Sequence, residues 1–118
     1  MIEVVMKWNV LRSVDQIKDI RSKSKTSPVL VFKHSTRCNI SRTSLDRLER
    51  NWKEEEMQDV QLYFLDLLAY REISNKLSEE FGVEHESPQV LIIKDGKSLY
   101  DRSHFDIEYR EIKEAVKS

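Results

Sequence analysis

The sequence is poor in the residues that staple or punctuate a chain: one cysteine, two glycines and two prolines in 118 residues. A single cysteine excludes an internal disulfide. Any redox chemistry must therefore exchange with a thiol from outside, and a reducing compartment is its natural setting. Charge of one sign is also missing, with 20 Lys and Arg against 21 Asp and Glu and a formal net charge of -1. A nucleic-acid partner is not expected, because phosphate neutralisation usually leaves a visible basic excess. No apolar run approaches the length of a membrane span. The first residues, Met1 to Lys7, carry an acid and lack the long apolar core of a leader. The expectation is one domain over residues 1–118, cytoplasmic, with no membrane partner. No internal repeat or low-complexity segment is present.

What is there reads as alternating strands and helices. A short strand is expected around Trp8 to Leu11, and Ser13 with Gln16 forms a capping box that opens a helix carrying Val14, Ile17 and Ile20 inward. The run Lys23 to Pro28 breaks that helix. Val29-Leu30-Val31-Phe32 shows no polar alternation, as expected of a central strand covered on both faces. A second helix is expected from about Asn39 to Glu56, with Leu45, Leu48 and Trp52 on one face, and a third strand from Val60 to Leu67. A third helix repeats Ile73, Leu77 and Phe81 at spacing four, and Gly82 ends it. Gln89 to Ile93 is an apolar strand. Asp95-Gly96 is the strongest hairpin signal in the chain, returning a short strand from Ser98 to Asp101. A last amphipathic helix starts near Asp106, its cap, and turns Ile112, Ala115 and Val116 inward.

The order is βαβαβαββα, with parallel strands early, an antiparallel hairpin late and right-handed crossovers that place helices on both faces of a mixed sheet. This is the α/β order of a thioredoxin-like fold. Two features converge at its site. Cys38 lies where the central strand hands over to a helix, and a helix N-terminus, with unpaired N–H groups and a positive dipole end, favours thiolate. The helix end alone supplies roughly 0.3–1 kcal/mol when exposed. Further stabilisation is expected from the N–H groups of Ile40 and Ser41, the Ser41 hydroxyl and the Arg37 guanidinium. Pro88 directly precedes a strand, where proline is poorly placed unless a cis peptide bends the chain back beside the thiol. Ser87 would then offer backbone groups to an extended substrate.

Five separated segments carry a family resemblance: Phe32-Lys33-His34-Ser35-Thr36; Cys38 with Ile40-Ser41; Arg71 with Ile73-Ser74-Asn75; His85-Glu86-Ser87-Pro88-Gln89; and Ser103-His104-Phe105-Asp106-Ile107. Together they resemble the monothiol bacilliredoxins of the YtxJ type. The resemblance spans nearly the whole chain. It implies a thioredoxin-like fold and an enzyme of the bacillithiol system, in which proteins capped by that small thiol are uncapped. Members usually have proline directly after the cysteine, where this chain has Asn39. Many have tryptophan where it has Phe105.

The implied mechanism is attack by the Cys38 thiolate on a mixed disulfide between bacillithiol and a protein, with bacillithiol as co-substrate and no bound cofactor. Ser41 stands in the place of a second cysteine, so an external thiol must resolve the intermediate. Ser87, Pro88, His34, Thr36, His85, Gln89 and Arg71 are the substrate-binding candidates. Each of several has a plainer account. His34 either lies near the thiol or packs its ring against the strand end. His85 and Gln89 either contact bacillithiol or hydrogen-bond within their own turn, and Arg71 either binds an acidic group or makes an exposed ion pair. His34, Cys38, His85 and His104 match no common zinc spacing, so no metal is expected. An iron–sulfur carrier is disfavoured because the glycine-containing cysteine motif of such carriers is absent. The alternative function is a stress-response binding module in which Cys38 senses without catalysing. A monomer is expected, with a Cys38-linked dimer when oxidised.

Overall fold

The computed structural model describes residues 6–117. The leader reading at Met1 to Val5 falls outside the described residues. The elements are β1 (Asn9–Val10), α1 (Asp15–Lys23), β2 (Val29–His34), α2 (Asn39–Asn51), β3 (Gln61–Asp66), α3 (Arg71–Phe81), β4 (Gln89–Lys94), β5 (Lys97–Ser103) and α4 (Tyr109–Val116), with 3-10 turns at Glu54–Glu56 and His104–Asp106. They form one five-stranded sheet in the order β1-β3-β2-β4-β5. β2 runs parallel to β3, from Val29 opposite Gln61 to His34 opposite Asp66, and antiparallel to β4, from Val29 opposite Ile93 to Lys33 opposite Gln89. The expected order and the mixed sheet are both present.

β2 is buried throughout because helices cover both faces, and its alternation sorts the core into two layers. Val29 and Val31 meet Ile17 and Ile20 of α1 and Ile73, Leu77 and Phe81 of α3. Leu30 and Phe32 meet Leu48 of α2, Trp52 and Ile112 of α4. Each fully buried aliphatic chain in these layers stabilises by roughly 1.5–3 kcal/mol. Gly82 closes α3 in the left-handed region at φ 63°, where an L side chain is strained. Asp95 and Gly96, at φ 54° and 74°, make the two-residue turn of the β4–β5 hairpin.

Several details differ from the sequence expectation, among them the end of β2, which runs on to His34. α2 stops at Asn51 rather than Glu56: Trp52 is already extended (φ -66°, ψ 130°), and Glu54–Glu56 form a separate turn. Three consecutive carboxylates are unfavourable at the negative end of a helix. Glu56 instead takes hydrogen bonds from Tyr109 Oη at 2.7 Å and Lys113 Nζ at 2.8 Å, both on α4. α4 begins at Tyr109, its N-cap is Glu108, and Asp106 does not cap it. Asp106 belongs to a turn tied to α2, whose Arg47 Nη2 donates to Phe105 O at 2.7 Å and Ile107 O at 2.5 Å. The Ser13 and Gln16 box is partly present. Gln16 Oε1 accepts from Ser13 N at 3.0 Å, while Ser13 Oγ accepts from Asp15 N at 3.2 Å rather than from Gln16.

Candidate active site around Cys38

β2 ends at His34, and four residues later the chain starts α2, with Cys38 as its N-cap at φ -106° and ψ 119°. Cys38 is a free, half-buried thiol. Its main chain is held on both sides: Cys38 N donates to Ser35 O at 3.1 Å, and Cys38 O accepts from Arg42 N at 3.2 Å. The sulfur itself makes no capping hydrogen bond. The expected bonds from the N–H groups of Ile40 and Ser41 to sulfur are thus not formed in this conformation, although both residues lie in the first helical turn. Thr36, Arg37 and Asn39 flank the thiol and are exposed. A shallow hollow of about 430 Å³ lined by Asn39, Arg42, Thr43 and Asp46 adjoins the helix start.

Ser41 does not present its hydroxyl to the thiol as expected. It is fully buried, its Oγ accepts from Ser35 N at 3.0 Å, and it lies 2.7 Å from His34 Nδ1. His34 is correspondingly no ligand-facing loop residue. It is the last residue of β2, 6% exposed, with its ring 5.4 Å from that of Phe64 and 6.3 Å from that of Phe32. Burial pushes its pKa below the ordinary histidine value. Asp66 opposes the shift, Arg42 reinforces it and Glu49 opposes it. His34 Nδ1 and the Ser41 hydroxyl share one hydrogen bond, its direction set by the tautomer of the ring.

The Ser87–Pro88 peptide is cis, as expected from the position of the proline. Because Lys33 pairs with Gln89, Pro88 lies one step beyond that pair, alongside the end of β2 from which the Cys38 loop departs. Pro88 O accepts from His104 N at 3.0 Å, and Ser44 Oγ of α2 donates to His104 O at 2.9 Å. The proline loop, the 104–106 turn and α2 are therefore joined. Ser103 Oγ adds a bond to Glu86 at 2.6 Å.

Gln89 does not reach the surface where a ligand would lie. It is 1% exposed, and its Nε2 donates to Glu84 O at 2.9 Å, which is the turn-internal account. Its Oε1 and the Ser87 hydroxyl are buried without a hydrogen-bond partner among the described residues. His85 is exposed and its Nδ1 lies 3.1 Å from Ser74 Oγ. Burial lowers its pKa, Lys33 and Arg71 reinforce the shift, and Glu86 opposes it. His85 thus shares one electrostatic neighbourhood with two cations, including the Arg71 candidate at the start of α3. Sequence reasoning missed Lys33 as a member of this group. The signal was its parity with Val29 and Val31 along β2, which turns it toward α3. Among the described residues no three His, Cys, Asp or Glu side chains are grouped to hold a metal.

A thiol at a helix N-cap after the central strand, beside a cis-proline loop, defines a thioredoxin-fold protein of thiol–disulfide exchange. Solved structures agree on the fold. A structure described as having a thioredoxin fold is 29% identical over 90% of each chain, with a TM-score of 0.76. Malassezia sympodialis thioredoxin is 15% identical over 94% of this chain and 89% of its own, with a TM-score of 0.72. Fasciola hepatica thioredoxin is 20% identical over 92% and 96%, with a TM-score of 0.69. The sequence model of the monothiol bacilliredoxin BrxC family matches residues 9–112, and the chain belongs to that family. It is a monothiol thiol–disulfide oxidoreductase, with Cys38 as the single thiol on which the exchange can run.

Proposed function

We propose that the protein removes bacillithiol from protein mixed disulfides. The observation that carries this reading is the family match over residues 9–112, with the only cysteine inside it at a helix N-cap. The Cys38 thiolate attacks the bacillithiol sulfur of the mixed disulfide. The S–S bond breaks, its electron pair leaves on the protein sulfur, which takes a proton, and bacillithiol becomes bonded to Cys38. A second bacillithiol thiolate attacks the bacillithiol sulfur of this new mixed disulfide; the S–S bond to Cys38 breaks, its electron pair leaves on Cys38, and bacillithiol disulfide is released. No second protein thiol takes part, because position 41 is serine.

Arg37 and the N–H groups of Ile40 and Ser41 supply positive potential as charge gathers on the cysteine sulfur. The main chain of Ser87 pairs with the client beside Pro88, and Thr36 lines the approach to the thiol. Arg71 and His85, near Lys33, face the carboxylates of bacillithiol. The protein works in the cytoplasm as a monomer, and a Cys38-linked dimer is an oxidised by-product.

Intact-mass spectrometry tests this directly. Reduced protein is mixed with a bacillithiol-capped test protein, beside Cys38→Ala and a glutathione-capped control. One bacillithiol mass should move onto the wild-type chain, not onto Cys38→Ala, and only weakly from the glutathione-capped protein. No transfer to a demonstrably free Cys38 would overturn the proposal in favour of the binding module.

A further inference from the structure

We infer that His34 and Ser41 are positioning residues that aim the Cys38 sulfur for in-line attack on a disulfide, a step that rests on the exchange reading above. The Ser41 hydroxyl joins the end of β2 to the first turn of α2. It accepts from Ser35 N at 3.0 Å and meets His34 Nδ1 at 2.7 Å. The segment from Ser35 to Ser41 is thereby closed into a ring with Cys38 at its middle. Two main-chain bonds brace Cys38 within that ring, from its N to Ser35 O and from Arg42 N to its O. Ser35 is therefore fixed by both its N and its O, and the position of Cys38 follows from Ser35.

His34 sets the orientation of the clasp. A serine hydroxyl has one proton to give. The Ser41 oxygen accepts from the Ser35 N–H and shares a second hydrogen bond with Nδ1, and these two contacts lock the Ser41 side chain. His34 is itself held between ring neighbours Phe32 and Phe64. The residue in the place of a second cysteine thus acts on the thiol through the backbone of the loop, not by touching sulfur.

Both disulfide exchange and alkylation need an in-line approach, but iodoacetamide is small enough to meet the sulfur from whatever direction it points, whereas a disulfide with bulky groups on both sulfurs is oriented by the surface it meets. Displacements of about 1 Å cost roughly a hundredfold where such alignment matters. The test compares two rates at one pH for wild type, Ser41→Ala, His34→Leu and His34→Asn. One rate is exchange with an aromatic disulfide and with a bacillithiol-capped test protein; the other is alkylation of Cys38 by iodoacetamide. Ser41→Ala and His34→Leu should slow exchange with both disulfides by about ten- to a hundredfold, and change alkylation by less than about threefold. His34→Asn, whose carboxamide oxygen can stand where Nδ1 stands, should recover most of the exchange rate. Equal losses in exchange and alkylation would overturn the inference, since the pair would then act on thiol ionisation. So would unchanged exchange in both Ser41→Ala and His34→Leu, or failure of His34→Asn to outperform His34→Leu. If one substitution prevents folding, the other carries the same comparison. Wild type that exchanges with the aromatic disulfide but not with the bacillithiol-capped protein would instead count against the proposed substrate and leave the positioning result intact.

Discussion

Lys33→Met should make the protein more stable at neutral pH. Lys33 is fully buried, and among the described residues its ammonium has one hydrogen bond, to Ser78 Oγ at 3.2 Å. No carboxylate makes a salt bridge to it among the described residues. Burial alone lowers its pKa from 10.5 to about 8. That difference of about 2.5 units, at 1.36 kcal/mol per unit, puts the cost of keeping it charged at about 3 kcal/mol. Methionine has similar length and no charge, and Ser78 is partly exposed, so water can replace the lost partner. Subtracting about 1 kcal/mol for the hydrogen bond leaves a net gain of about 2 kcal/mol. The sign can be checked through pH. The folded pKa lies below the unfolded one, so between about pH 8 and 10.5 the unfolded chain binds more protons and wild-type stability rises with pH; below about 8 the cost is constant. Lys33→Met lacks that rise. Urea unfolding followed by tryptophan fluorescence near pH 7 and near pH 10 should show a gap in favour of the variant that narrows in alkali. A variant less stable at pH 7, or a gap that does not change with pH, would refute the reasoning.

Two further outcomes are expected. Gly96→Ala should destabilise by about 1 kcal/mol in the same urea assay. The cost is conformational, at φ 74°, since an added Cβ would meet nothing nearer than Arg21 Cγ at 3.8 Å; an unchanged midpoint would remove the turn assignment. Acid should weaken the fold before the carboxylates titrate. His34 and His85 both have folded pKa values lowered chiefly by burial, so the stability tied to their neutral forms is complete above the unfolded value of about 6.5 and is lost as pH falls through the folded ones. His34→Asn should flatten that acid limb in unfolding midpoints taken between about pH 7 and 5, and a limb of wild-type steepness would show that His34 does not carry it.

Much of the fold was legible because local signals agreed with it. The unbroken apolar run of β2, the spacing-four stripe of α3, Gly82 and Asp95-Gly96 each act over a few residues. The errors fell where a distant partner decides. Nothing local says that Glu56 leaves the helix for Tyr109 and Lys113, more than fifty positions on. Nothing local says that Arg47 holds the carbonyls of Phe105 and Ile107 and so delays α4. Cys38 and Pro88 were legible as a site for the opposite reason: a lone thiol at a strand-to-helix junction and a proline at a strand start are anomalies in their own neighbourhoods.

The roles around them were harder to read, and β2 explains why. Lys33 and His34 are adjacent, so a strand must send them to opposite faces. Lys33 follows Val29 and Val31 to the α3 side, where it meets Ser78; His34 follows Leu30 and Phe32 to the α2 side, where it meets Ser41. Parity alone would have made that division, had the strand been extended two residues past Phe32. A strand that ends at Phe32 leaves both residues without a face and leaves Ser41 no partner but the thiol. Extending β2 to His34 gives the serine a nearer acceptor, draws it away from sulfur, and turns the first turn of α2 from a set of thiol ligands into the brace that holds the thiol in place.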